Sequence, residues 1–188
     1  ISAAASALLS AENPVISVNG NVASLCPKEI VQLAKITKAK IEVNLFYYDE
    51  SRKKRIAKSL KKAGAKHVLG TNPASYRRIS GLSSSRRIVD RDGIFAGDVI
   101  LVPLEDGDRT AALKKAGKTV ITFDLNPLSR TSQTADITIV DNVVRGMKLL
   151  VSACKKSKKK SSNFNNKKSL ARAVLEIKNN LKRRASIA

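Results

Sequence analysis

Residues 99–110 read VILVPLEDGDRT, an unbroken apolar run from Val99 to Leu104 that gives way to Glu105, Asp106, Gly107, Asp108, Arg109 and Thr110. A run apolar at every position, not at alternate ones, marks a strand covered on both faces. The polar, glycine-bearing sequel marks a loop that leads into a helix. The same unit recurs on either side. Further strands are expected at Val15–Val18, Ile41–Phe46, His67–Leu69, Thr119–Asp124 and Ile137–Val140. Helical patterns intervene at Lys28–Ala39 and Ser51–Ala63, with Pro27 placed to begin the first and Gly64 to follow the second. More helices are expected over Thr110–Ala116, Asn142–Ala153 and Ser169–Arg183. Ile1 to Leu9 has the look of mid-helix. Strands alternating with helices in this way define an α/β chain with a mainly parallel sheet and helices on both faces.

The 188 residues are 43% hydrophobic, enough for one packed core, and no apolar stretch reaches the roughly 18 residues a membrane helix needs. The Ala-rich start lacks the charged leader of a signal peptide, so a cytoplasmic protein is expected. Cys26 and Cys154 stand far apart, and one histidine, His67, cannot make a zinc site alone. The net charge is +21, but it is unevenly placed: residues 1–150 carry 24 basic and 14 acidic residues, and residues 151–188 carry 12 and 1. With 4% aromatic residues and no Trp, stacking platforms for single strands are lacking, and nucleic acid is not the expected partner. The chain divides into an α/β core over 1–154, a Lys-, Ser- and Asn-rich linker over 155–168, and a last helix over 169–188. In that helix Leu170, Val174, Ile177 and Leu181 share a face expected to pack on the core.

In open parallel sheets ligands bind beyond the carboxyl ends of the strands. That rule selects Asn19-Gly20-Asn21, Gly70-Thr71-Asn72-Pro73, residues 105–110, residues 124–131 and Asp141-Asn142. Each also reads as turn or helix-cap material. Glu105, Asp106 and Asp108 place three carboxylates after a buried strand, where repulsion calls for an arginine, a cation or a metal-bound phosphate; Arg109 is the partner nearest in sequence. Asp124 and Asn126 can accept from a ribose or an adenine amino group, while Ser129, Arg130 and Thr131 suit phosphate. Neither GxGxxG nor GxxxxGK followed by Ser or Thr is present. The long connection from Asn72 to Gly97 carries Arg77, Arg78, Arg86 and Arg87, and a loop of that length suits function. Cys26 precedes a helix start but is assigned no nucleophilic role. Glu42, at alternating spacing in its strand, is expected at an edge or facing solvent.

Four ordered strings, residues 11–21, 102–110, 124–131 and 135–145, resemble the archaeal 4-phosphopantoate–β-alanine ligase (phosphopantothenate synthetase) family. Phe164-Asn165-Asn166 and Lys168-Ser169-Leu170 add to the resemblance, which covers almost the whole chain. It implies a Rossmann-like three-layer fold and a homodimer. It further implies an ATP-dependent condensation of 4-phosphopantoate with β-alanine that releases AMP and diphosphate in coenzyme A biosynthesis. The ATP contacts implied are Asp124, Leu125 and Asn126; Ser129, Arg130 and Thr131; and Asp141, Asn142 and Val143. Asp106, Asp108 and Arg109 are the implied catalytic group, with Mg²⁺ at Asp106 or Asp108, and Asn19, Asn21, Arg78 and Arg86 are expected to hold substrate. Family members carry a further segment ahead of the position of Ile1 that adds arginines to the ATP site. The chain is therefore expected to be a fragment, with weak or absent activity by itself. Two other readings stand beside this one: a basic nucleic-acid-binding module, and an inactive scaffold remnant of the ligase.

Overall fold

A computed structural model describes residues 1–157 and 163–186. Its centre is a five-stranded, wholly parallel sheet of β1 (Val15–Val18), β2 (Lys40–Val43), β5 (Val99–Pro103), β6 (Thr119–Phe123) and β7 (Ile137–Ile139), in the order β2-β1-β5-β6-β7. The chain leaves β1 toward β2 on one side and returns across it to β5 on the other. The winding direction thus reverses between β1 and β5, and a doubly wound sheet opens its ligand crevice at that place.

Alternation along each strand sends side chains to two separate cores. Ile16, Val18, Leu101, Ile121 and Phe123 face one layer, which holds α1 (Ser2–Ser10), α2 (Gly20–Leu25), α3 (Pro27–Thr37), α4 (Glu50–Lys62) and α7 (Val143–Lys156). Val15, Ile100, Val102 and Val120 face the other, with Ala112 and Leu113 of α5 (Gly107–Lys115) and Ala135 after α6 (Arg130–Thr134). Five of the six strand units read from the sequence are present, with β2 ending at Val43 instead of Phe46. His67–Leu69 is not a strand. It touches the sheet through one parallel bridge, Leu69 to Glu42, because Gly70 at φ +83° turns the chain away.

The long connection is folded. It contains a short antiparallel hairpin, β3 (Tyr76–Arg78) and β4 (Ile88–Asp90), that lays Ile79, Val89 and Ile94 on the second core. Polar clasps complete the attachment. Glu42 is fully buried, correcting the expected edge or solvent position, and accepts from the backbone N–H of Asp90 at 3.0 Å and of Ile94 at 2.6 Å. Asn44 donates to Ile88 O at 2.8 Å, and Asp90 accepts from Gly70 N and Ser75 Oγ. The last helix, α8 (Asn166–Ala185), docks by its first turns. Leu170 is buried, and Asn166 donates to the carbonyls of Ser132 and Ala135. Ile177 and Leu181, expected on the packed face, are exposed. Residues 158–162 of the expected linker lie outside the described residues, while Lys155 and Lys156 extend α7.

Candidate functional site at the carboxyl edge of the sheet

Every helix that follows a strand's carboxyl end is capped by a side chain of the connecting loop, accepting from an N–H that has no partner within the helix. Asn19 caps α2, Asp49 caps α4, Asp106 caps α5, Ser129 caps α6 and Asn142 caps α7. The turn and cap readings of Asn19, Asp106, Ser129 and Asn142 are therefore correct. Asn19 also donates through Nδ2 to Leu104 O at 3.1 Å, joining the β1 and β5 ends across the reversal point. Leu104 itself has φ +61°, a left-handed conformation rare for a branched side chain and the mark of a constrained turn.

Beneath that turn the three carboxylates find their compensation. Glu105, with its side chain 3% exposed, is gripped between Arg86 and Arg109. Arg86 also reaches Asp106 Oδ2 at 2.8 Å, and Asp106 Oδ1 accepts from Arg109 N at 2.8 Å. Arg109 adds a bond to Ser17 Oγ at 3.0 Å, so it lies inside the sheet layer and away from the solvent-facing crest. Burial pushes its guanidinium down to about 10, which leaves it charged at neutral pH. Burial, and then the Arg109 charge, lower Arg86 as well. The partner of Glu105 expected from sequence, Arg109, is confirmed; Arg86, from the long connection, is the second. Asp108 stands apart, exposed, and pairs with Arg130 Nη2 at 2.6 Å.

The neighbouring loop is organised by Asp124, whose carboxylate accepts from Asn126 N at 2.9 Å and from the Ser129 hydroxyl. Asn126 Oδ1 accepts from Leu128 N, and Thr131 Oγ1 donates to Glu105 O at 3.1 Å, tying this loop to the preceding one. Leu125 and Leu128 are exposed, an apolar rim beside polar groups. Asp141 pairs with Arg145, Asn142 caps α7 and Val143 is buried under it. The structure thus brings residues 105–109, 124–131 and 141–143 onto adjacent strand ends. Beyond the β1 and β2 ends Asn19, Asn21 and Arg86 line a cleft of ≈ 160 Å³ with Gly20, Leu45, Phe46, Tyr47 and Arg52. Arg78 is exposed on β3 and does not line it. Arg52 was not visible from sequence, since on α4 it is one basic residue among many.

Two alternatives carry less chemistry. Cys26 and Cys154 are buried and pushed up to about 11, chiefly by burial, so neither is a ready thiolate. A more apolar groove of ≈ 490 Å³ lies by the amino end of β2, lined by Val31, Ala34, Ile41 and His67 among others, away from the crest. Magnesium fits poorly at Asp106 and Asp108. Both Asp106 oxygens already accept from donors, Asp108 is paired, and among the described residues no group of three or more His, Cys, Asp or Glu could hold an ion.

A doubly wound sheet with caps, acceptors and arginines gathered along its carboxyl edge defines the class of α/β proteins whose ligand sites lie beyond the carboxyl ends of the strands. Residues 1–180 match the family described as phosphopantothenate/pantothenate synthetase, and the chain belongs to that family. It is 50% identical to the 4-phosphopantoate–β-alanine ligase of Methanosarcina mazei, over 98% of this chain and 75% of that protein. It is 49% identical to the ligase of the same name from Thermococcus kodakarensis, over 97% of this chain and 73% of the relative. A third, from Thermococcus onnurineus, is also 49% identical, over 95% of this chain and 71% of the relative.

Proposed function

We propose that the chain joins 4-phosphopantoate to β-alanine at the crest, using ATP and releasing AMP and diphosphate. In the first step a carboxylate oxygen of 4-phosphopantoate attacks the α-phosphorus of ATP, and the bond to diphosphate breaks. In the second, the β-alanine amine attacks the acyl carbon, loses a proton, and AMP leaves as the amide forms. Such chemistry asks the protein for alignment and for compensation of charge on the departing phosphates.

In this reading Asp124, Leu125 and Asn126, with Asp141, Asn142 and Val143, receive the nucleoside. Ser129, Arg130 and Thr131 receive its phosphates. The observation that supports it most is the shared edge: Thr131 bonded to Glu105 O and Arg130 paired with Asp108 hold the expected phosphate donors against the β5 loop. Asp106 and Asp108 set the charge around the reaction, Asp106 by orienting Arg86 and Asp108 by orienting Arg130. Arg109 acts through Glu105 as a positioning residue. Asp106 and Asp108, already partnered by Arg86, the Arg109 N–H and Arg130, hold no Mg²⁺ in this reading. Asn19, Asn21 and Arg86 face the acid substrate, and Arg78 enters as charge on the hairpin surface. A homodimer belongs to the same reading, supported by the exposed Leu175, Ile177 and Leu181 of α8. A cytoplasmic location also belongs to it, and among the described residues no helix is long and apolar enough to cross a membrane.

The test is product analysis. Incubation with ATP, 4-phosphopantoate and β-alanine is expected to give 4′-phosphopantothenate and AMP in equal amounts. AMP formation indifferent to β-alanine, or ADP as the nucleotide product, would overturn the proposal.

A further inference from the structure

At the amino end of β2, the opposite end of the sheet from the crest, a groove of ≈ 490 Å³ opens. Val31, Ala34 and Lys35 of α3 line it with Lys40 and Ile41 of β2, and residues 64–67 with Leu69 form the facing wall. Backbone geometry accounts for the gap. Leu69 N donates to Ile41 O at 2.8 Å and Leu69 O accepts from Val43 N at 3.0 Å, one parallel bridge that holds this segment to the β2 edge. Ahead of that bridge the chain stands off from β2, and the apolar side chains of Val31, Ala34 and Ile41 face the space between. The charge at the mouth is of one sign. Lys35 and Lys66 are exposed, and their ammonium groups have no hydrogen-bonding or ionic partner among the described residues. Lys35 Nζ reaches toward the facing wall, 3.6 Å from where a Cβ on Gly64 would stand. Lys40 Nζ is fixed on Asp92 O at 2.7 Å, and the Asp92 carboxylate is matched by Arg91 at 3.3 Å. The groove therefore offers an apolar floor under surplus positive charge.

We propose that this groove is a second ligand site, separate from the crest, for a small amphipathic carboxylate such as a medium-chain alkanoate. The chain lies on Val31, Ala34 and Ile41, and Lys35 and Lys66 meet the carboxylate. The volume falls within the roughly 300–1,000 Å³ of small-molecule sites, in which apolar walls supply affinity and a few charged groups fix orientation. Complementary charge decides the ligand's sign: a cation of the same shape would meet unpaired ammonium groups, and a neutral alcohol would leave them unmatched. The site stands whether or not the ligase reading does, since none of its residues belongs to the crest.

The test is calorimetric titration with hexanoate, octanoate, octanol and octyltrimethylammonium of the wild-type chain, of Ala34→Leu, and of Lys35→Gln combined with Lys66→Gln. Thermal unfolding and sedimentation of each protein accompany it. Each added methylene is expected to tighten binding about four-fold. Octanoate is expected to bind about five-fold more tightly than octanol, and the paired glutamine substitutions to bring it down to the octanol value while leaving octanol unchanged. Ala34→Leu fills the floor and is expected to abolish binding without lowering the unfolding temperature; the paired glutamine substitutions, on exposed side chains, carry the test if it does not fold. Affinity indifferent to chain length, or equal for octanoate and octyltrimethylammonium, would overturn the assignment. So would self-association in sedimentation that octanoate does not disperse, which would give the groove to a second copy of the chain. Co-sedimentation with phosphatidylglycerol vesicles in the absence of octanoate binding would overturn it in favour of a lipid surface.

Discussion

Glu42 makes the fold's acid–base behaviour predictable. Its side chain is fully buried in β2 and accepts from two backbone N–H groups of the hairpin segment, which favour the carboxylate. Desolvation outweighs them and the nearby Arg109 charge, raising the group from 4.5 to about 7. The folded chain therefore holds this proton more tightly than the unfolded chain. The resulting stabilisation is fully present below the unfolded value and is lost as pH rises through about 7. At about 1.4 kcal/mol for each unit, the loss comes to about 3 kcal/mol. Glu42→Gln has no proton to release. Urea unfolding of both proteins from pH 4.5 to 8 is therefore expected to show the difference in stability shifting by about 3 kcal/mol in favour of the glutamine variant. Other titrating groups cancel in that difference. A difference that stays constant across the range would refute the account, because Glu42 would then titrate alike in both states.

Three further outcomes follow from the same geometry. Arg109→Met leaves Glu105 with one partner and is expected to cost about 3–5 kcal/mol in urea unfolding, the penalty for breaking a buried pair. Ser129→Ala removes the α6 cap and the partner of Asp124, so it is expected to cost about 1 kcal/mol and to weaken ATP binding in calorimetry while sparing 4-phosphopantoate. Gly146→Ala would drive a methyl into the Phe123 ring, forcing α7 outward at a cost of about 1–3 kcal/mol in thermal unfolding.

The strands were legible because burial on both faces writes itself as continuous apolar runs, as in Val99 to Pro103. The reversal of winding was legible only as a rule about where ligands go, since strand order is a tertiary property. The hairpin escaped notice because each of its strands has three residues and one carries Tyr76, Arg77 and Arg78, with no apolar alternation to mark it. Glu42 misled for a related reason. Alternation cannot distinguish a solvent-facing carboxylate from one clasping a backbone that folds over it from 48 residues away. The crest loops were readable as caps and acceptors, which they are. The partnership of Arg86 with Glu105, and the place of Arg52 in the cleft, needed the fold that brings them together.

The reaction proposed for this crest activates the carboxylate of 4-phosphopantoate by its attack on the α-phosphorus of ATP. The most direct measurement follows the oxygen, using substrate labelled with heavy oxygen in its carboxylate and mass analysis of the products. Label is expected in the phosphate of AMP. Label in inorganic phosphate, with ADP as the nucleotide product, would contradict it.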